Sequence, residues 1–205
     1  MKKVLMTGFD AFGGEPTNPA SRAVERLSGK TINGLEVITK EIPTVFGKAA
    51  KAIQDDIERL NPDVVINVGQ SGGIHAIRVE RLAVNIDDAR IKDNEGNQPV
   101  DEPIAPEGPL AYWSTLPVKA IVNDLEQSGI PAFVSYTAGT FVCNHVFYAT
   151  RHYVETRNLP IKVGFIHVPF LPEQVIDKKP YPVPSMSEGT IAQALEVIVE
   201  TIGNA

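Results

Sequence analysis

The sequence predicts an α/β fold: a three-layer α/β/α sandwich around a twisted, mostly parallel (mixed) sheet. Three observations carry this. Strand-like and helix-like segments mostly alternate along the chain. Segments such as "DVVINVG" (63–69) and "IKVGFIHV" (161–168) are near-continuous apolar runs, which strands covered on both faces require. The intervening segments repeat apolar residues at helical spacing.

"KKVLMTG" reads as a short buried strand over 2–7 that breaks at Gly8. "NPASRAVERLSG" follows as a helix, with Asn18 as cap, Pro19 in the first turn and Gly29 as terminator. "LEVITKEI" alternates as a strand. Phe46, Ala49, Ala50, Ile53, Ile57 and Leu60 then line one helix face, ended by Asn61-Pro62. The 63–69 strand closes in "GQSGG", and "IRVERLAVNI" (77–86) is extended. Residues 87–111 are polar and rich in turn formers. Pro117 introduces a helix bearing Val118, Ile121, Val122 and Leu125. "PAFVSY" (131–136) is a strand, 141–157 a helix, 161–168 a strand and 169–184 a Pro-rich loop. Ser185-x-x-Glu188 resembles a capping box that opens a last helix.

The chain has 205 residues, one domain's worth, so 1–205 is expected to be a single catalytic α/β domain. Net charge is −6, with no basic block, which argues against nucleic-acid or anionic-membrane partners. No run approaches a membrane span, and the apolar run near the start is too short for a signal peptide. One cysteine allows no internal disulfide, and the expected location is the cytoplasm. No His-Glu-x-x-His pattern is present. His145 and His152 lack a third ligand at sensible spacing, so no metal is expected.

In open α/β sheets, sites gather at the carboxyl ends of strands. Those ends here are "GFDAFGGEPTN", "GQSGG", "TAGTFVCNH" and "HVPF". If the sheet is mostly parallel, the four converge. The first is no phosphate loop, because Glu15 stands where a Lys is needed. Its Phe9 and Phe12 either plug the core edge or line an apolar pocket.

If Thr140 caps its helix, Cys143 lies in the first turn, where free N–H groups and the helix dipole stabilise a thiolate or an oxyanion. A buried structural cysteine is the competing reading. A catalytic thiol needs a base. His145 is adjacent but rotated by about 200° along the helix. His167 ends an apolar strand and is the histidine a parallel sheet delivers to Cys143. Glu80 is the candidate to orient it: the apolar alternation slips between Val79 and Leu82, and a bulge or break there suits an active-site edge. A surface Glu80–Arg81 pair is the alternative. Asp87, Asp88, Asp93 and Glu95 read as solvated turn acids.

"GFDAFGGEPTNPA", "GQSGG…VERLAVN", "AGTFVCNHVFY" and "GFIHVPF" together, in order over about residues 4–172, resemble the pyroglutamyl peptidase I family of cysteine peptidases. The resemblance implies Cys143 as nucleophile, His167 as general base then acid, and Glu80 as orienter of the imidazole. It implies Phe9, Phe12, Thr44, Ile91, Phe141 and Val142 as pocket walls. Asn18 and Gln70 would bond the lactam, and Arg90 would lie near the catalytic site. It further implies peptides with an N-terminal pyroglutamate as substrates, no cofactor, and a homo-oligomer, usually a tetramer. A phosphorylase-like protein binding a nucleoside or anion, and a non-catalytic binding module, are the rival classes. The first needs phosphate dependence and the second a silent thiol.

Overall fold

The computed structural model describes residues 1–178 and 182–205. A seven-stranded sheet forms its middle, in the order β2-β3-β1-β4-β9-β5-β8. The strands are β1 (Lys2–Phe9), β2 (Thr31–Ile32), β3 (Leu35–Ile42), β4 (Val64–Gln70), β5 (Ile77–Glu80), β8 (Ala132–Ser135) and β9 (Lys162–Val168). A separate two-stranded sheet pairs β6 (Leu82–Val84) with β7 (Ala111–Trp113), antiparallel. The mostly parallel, mixed sheet with helices around it is the α/β fold expected.

Alternation along the strands sorts the core into two layers. Val4, Met6, Ile66, Val68 and Ile166 face α1 (Pro19–Glu25), α3 (Val118–Gln127) and α6 (Glu188–Gly203). Leu5, Phe9, Val65, Val163 and Phe165 face α2 (Lys48–Leu60) and α4 (Val142–Thr156). A short α5 (Pro172–Val175) interrupts the Pro-rich loop, and residues 179–181 of that loop lie outside the described residues.

Strand direction corrects the expected convergence. β1, β3, β4 and β9 are mutually parallel, but β5 runs antiparallel to β9, and β8 follows β5. The segment after β8 therefore starts away from the shared carboxyl edge and must turn back. It is held on its return by Thr140, whose carbonyl accepts Asp88 N–H at 3.0 Å and whose hydroxyl donates to the Asp88 carbonyl at 2.7 Å. Thr140 is thus not the α4 cap; Phe141 occupies that position, with no capping side chain.

Two further expectations change. The cap of α6 is Ser187, which accepts from Thr190 N–H, whereas Ser185 bridges Phe170. Phe46 is not on α2, because Gly47 at φ 71° turns the chain before the helix begins. Asn18 does cap α1, as predicted. The break at Arg81 is real: β5 ends at Glu80 and β6 starts at Leu82.

Candidate active site

Glu80 and His167 meet because β5 is antiparallel to β9. The register sets Arg78 opposite His167, and Glu80 lies two residues on, on the same face. That makes Glu80 the diagonal neighbour of His167, within reach of a long side chain. His167 Nδ1 lies 2.8 Å from Glu80 Oε1, both residues buried, at 5% and 0% exposure. The second carboxylate oxygen, Oε2, has no hydrogen-bond partner among the described residues. With Nδ1 committed to Glu80, Nε2 is left for the Cys143 thiol, whose sulfur lies against Gly69, the residue opposite His167 in register. Burial alone would lower the pKa of this imidazole. The Cys143 thiolate, by its charge and its hydrogen bond, and then Glu80, outweigh burial and raise it to about 9.

Cys143 is the second residue of α4 and half-buried. The first N–H groups of a helix lack intrahelical partners, and no side chain caps them here. This end of α4 is fixed by Asn144, fully buried, which accepts from Val84 N–H and donates to the carbonyls of Val84 and Ile86. The sequence reading passed over Asn144. An Asn in a first helical turn with its amide turned inward carries no periodic signal.

Gly69 in β4 lies opposite His167 in register. A Cβ there would stand 2.9 Å from Cys143 Sγ and 2.9 Å from Phe165 Cζ. The missing side chain is the space in which the thiol sits. Phe165 also packs on the His167 ring, with centroids 4.8 Å apart.

The expected pocket residues divide. Phe12 and Phe141 face each other at 6.2 Å, both partly exposed. Phe46, which was assigned to a helix face, meets Phe141 edge-on at 5.3 Å. Phe9 and Val142, expected as walls, are 2% and 0% exposed. Both belong to the core on the α4 side, where Phe9 packs against Phe165, so they back the site from within. Asn18 also departs from its expected role. Its Nδ2 donates to the Asp10 carbonyl and its Oδ1 accepts from Ala20 N–H, so both ends of the amide serve the cap and the preceding loop.

Gln70 follows Gly69, so its side chain turns to the opposite face. There it accepts from Gln174 Nε2 at 2.9 Å. Thr44 is buried, with its N–H donating to Asp10 Oδ1. Arg90 and Ile91 are exposed on the loop after β6, and Arg90 has no ion pair among the described residues.

Two acids read as solvated are buried instead. Asp87 lies against His145, with its Oδ2 2.7 Å from Nδ1. Asp93 accepts N–H groups from Phe46, Glu95 and Asn97, and the Asn97 amide. Burial opposes charge on Asp93, but these hydrogen bonds, led by the Asn97 side chain, hold its carboxyl below the usual range. His145 is committed to Asp87 and to Gly47 N–H, away from the thiol, as its helical position predicts.

A groove of about 480 Å³ between α2 and α4 is lined by His145, Tyr148 and His152, and contains neither Cys143 nor His167. The chemistry of the side chains, rather than cavity size, locates the candidate site. Among the described residues no helix is long and apolar enough to cross a membrane.

A family model described as pyroglutamyl peptidase matches residues 2–205. A pyrrolidone-carboxylate peptidase of Bacillus cereus is 58% identical over 201 residues, covering 98% of this chain and 92% of that protein. One from Bacillus mycoides is 54% identical over the same shares of both chains. Among solved structures, pyroglutamyl peptidase I of Bacillus amyloliquefaciens superposes with a TM-score of 0.96 at 46% identity, covering 100% of this chain and 98% of the other. A mutant pyrrolidone carboxyl peptidase from Pyrococcus furiosus gives 0.94 at 46% identity, covering 98% and 97%.

Proposed function

The chain belongs to the pyroglutamyl peptidase family, and on that premise we propose that it cleaves the bond after an N-terminal pyroglutamyl residue through a Cys143–His167–Glu80 triad and a thioester. The observation that carries the proposal is the buried 2.8 Å contact of Glu80 with His167, the residue opposite Gly69, against which the one thiol of the sequence lies.

The Cys143 thiolate attacks the carbonyl carbon that joins pyroglutamate to the next residue. The oxyanion is stabilised by free N–H groups at the start of α4, with Cys143 N–H the nearest candidate. His167, protonated, gives its proton to the leaving amine as the C–N bond breaks, and a thioester remains. His167, now neutral, takes a proton from water, the hydroxide attacks the thioester, and pyroglutamate leaves with the thiolate restored. Glu80 holds the imidazole with Nε2 toward the sulfur and supports its charge, as the acid does in a serine triad.

Phe12 and Phe141 suit a flat, neutral lactam. An ordinary N-terminal ammonium would be stranded between such rings without a partner, and this rejects unblocked peptides. Thr44 and Ile91 complete the proposed walls, with Phe9 and Val142 behind them. Both ends of the Asn18 side-chain amide are engaged within the protein, whereas Gln70 is engaged through Oε1, so the Gln70 Nε2 donor and the backbone groups beside Asn18 are the candidates for the lactam. Arg90 is assigned to site polarity. The proposed enzyme is a single-domain homotetramer of the cytoplasm, and exposed Leu110, Trp113, Phe133 and Tyr136 are apolar surface that assembly would cover.

Purified protein should hydrolyse a pyroglutamyl-arylamide without added metal or phosphate, and a thiol alkylator should stop it. No turnover by fresh, reduced protein would sink the proposal. Glu80→Gln should cost about 10- to 100-fold in kcat, less than loss of the thiol. It should also move the alkaline limb of the pH–rate profile. His167 must be protonated to serve the leaving amine, so activity falls as pH rises through about 9. Removing the Glu80 charge removes two of the influences that raise that value, so the limb shifts to lower pH. An unchanged limb with full activity would return Glu80 to a structural role.

A further inference from the structure

His145 stands two residues from the thiol, and the proposed catalytic cycle has no task for it. Its ring is committed to the segment before α2. Gly47 N–H donates to Nε2 at 3.1 Å. A ring nitrogen that accepts carries no proton, so the proton sits on Nδ1 and is donated to Asp87 Oδ2 at 2.7 Å. The ring is thereby clamped at both nitrogens. Asp87 is itself held by paired backbone hydrogen bonds with Glu102.

The segment 44–47 has no ladder or helix of its own. Val45 N–H goes to the Pro43 carbonyl, and the other three N–H groups are captured by side chains from three places. Asp10 Oδ1 takes Thr44 N–H at 2.7 Å, Asp93 Oδ2 takes Phe46 N–H at 3.0 Å, and His145 Nε2 takes Gly47 N–H. Of the three acceptors, only His145 sits on α4, the helix that also carries Cys143 and has Phe141 at its N-cap. Its ring stands edge-on to Phe46, with centroids 5.6 Å apart and planes at 90°. Phe46 in turn stands edge-on to Phe141 at 5.3 Å and 89°, and Phe141 faces Phe12. An unbroken series of contacts runs from Asp87 through His145 and Phe46 to the aromatic wall.

We propose that His145 is a positioning residue for the pyroglutamyl pocket: by taking the Gly47 N–H while packing on Phe46, it locks the 44–47 segment to α4 and sets the place of Phe141. This rests on the peptidase reading for the identity of the ligand. A group that acts only through the wall changes how well substrate is held, and equally in the ground and transition states. A group that acted on the thiol would change turnover.

The test compares wild type, His145→Ala and His145→Gln, first confirming by melting curves that all three are folded. It reads two quantities: hydrogen exchange of the Gly47 amide, and KM and kcat on a pyroglutamyl-arylamide. In His145→Ala, Gly47 exchange should rise about tenfold and KM about five- to tenfold, with kcat within about twofold. In His145→Gln both should return toward wild type, because a Gln amide can accept from Gly47 through Oε1 while donating to Asp87 through Nε2. Unchanged KM in His145→Ala overturns the proposal. So does a fall in kcat at constant KM, or a folded His145→Gln that restores neither quantity. If the wild type does not cleave the arylamide, it is the peptidase reading that fails. Gly47 exchange then still decides whether His145 locks the segment.

Discussion

Replacing Cys143 by serine should lower kcat/KM on a pyroglutamyl-arylamide by about 10⁴-fold or more, with the fold retained. The side chain is nearly isosteric, so Gly69 still leaves room for it. The chemistry is not isosteric. A hydroxyl gives up its proton far less readily than a thiol, and the paired His167 is already protonated in the resting site. That second point makes the variant informative beyond activity. His167 is raised to about 9 against its own burial chiefly by the Cys143 thiolate, with Glu80 contributing less. Removing the thiolate leaves burial opposed by Glu80 alone. An NMR titration of His167 in Cys143→Ser should therefore show its midpoint fall well below the wild-type value. A serine variant that keeps most activity, or a His167 midpoint that does not move, would mean that the sulfur and the imidazole are not a charge pair.

Gly69→Ala should damage both the site and the core beneath it. Its φ is unremarkable, so backbone strain is not the issue; space is. The new methyl would stand 2.9 Å from both Cys143 Sγ and Phe165 Cζ. Phe165 is fully buried, packed between Phe9 and Phe147 and against the His167 ring, so it has nowhere to retreat. The thiol or the imidazole must move instead. A displacement near 1 Å at reacting atoms costs about 10²-fold in rate, and overpacking a core costs about 1–3 kcal/mol. Both a drop in kcat/KM of about that size and a lowered melting temperature are expected. Wild-type kinetics in Gly69→Ala would show that the thiol does not depend on this opening.

The order of strands and helices was legible because apolar period and cap residues are local signals. "DVVINVG" and "IKVGFIHV" could be little else than buried strands, and Asn18-Pro19 caps α1 as written. Where local signals competed, the sequence misled. Two serines, 185 and 187, could each cap α6, and only packing selects the second. Phe46 matched a helical face in spacing, but Gly47 at positive φ separates it from α2 and frees it for the site. Asp87 and Asp93 stand in a polar, turn-rich stretch that reads as solvent-exposed. Asp87 is covered by His145 and Asp93 by Phe46 N–H, both distant in sequence, although Asp93 also takes Glu95 and Asn97 from its own turn.

The candidate site shows the same division. The sequence by itself determined the chemical inventory: one thiol near a helix start, one histidine closing an apolar strand, and one carboxylate where strand alternation slips. It also determined that His145 points away from the thiol, since helical rotation is a local property. Only the tertiary structure decided how these pieces meet. Glu80 reaches His167, 87 residues away in sequence, because β5 runs against β9 rather than with it. Strand direction and register are set by pairings between distant segments and leave no mark within either strand. The same holds for Gly69, where the functional feature is a volume left empty, and a volume is defined only by the atoms that surround it.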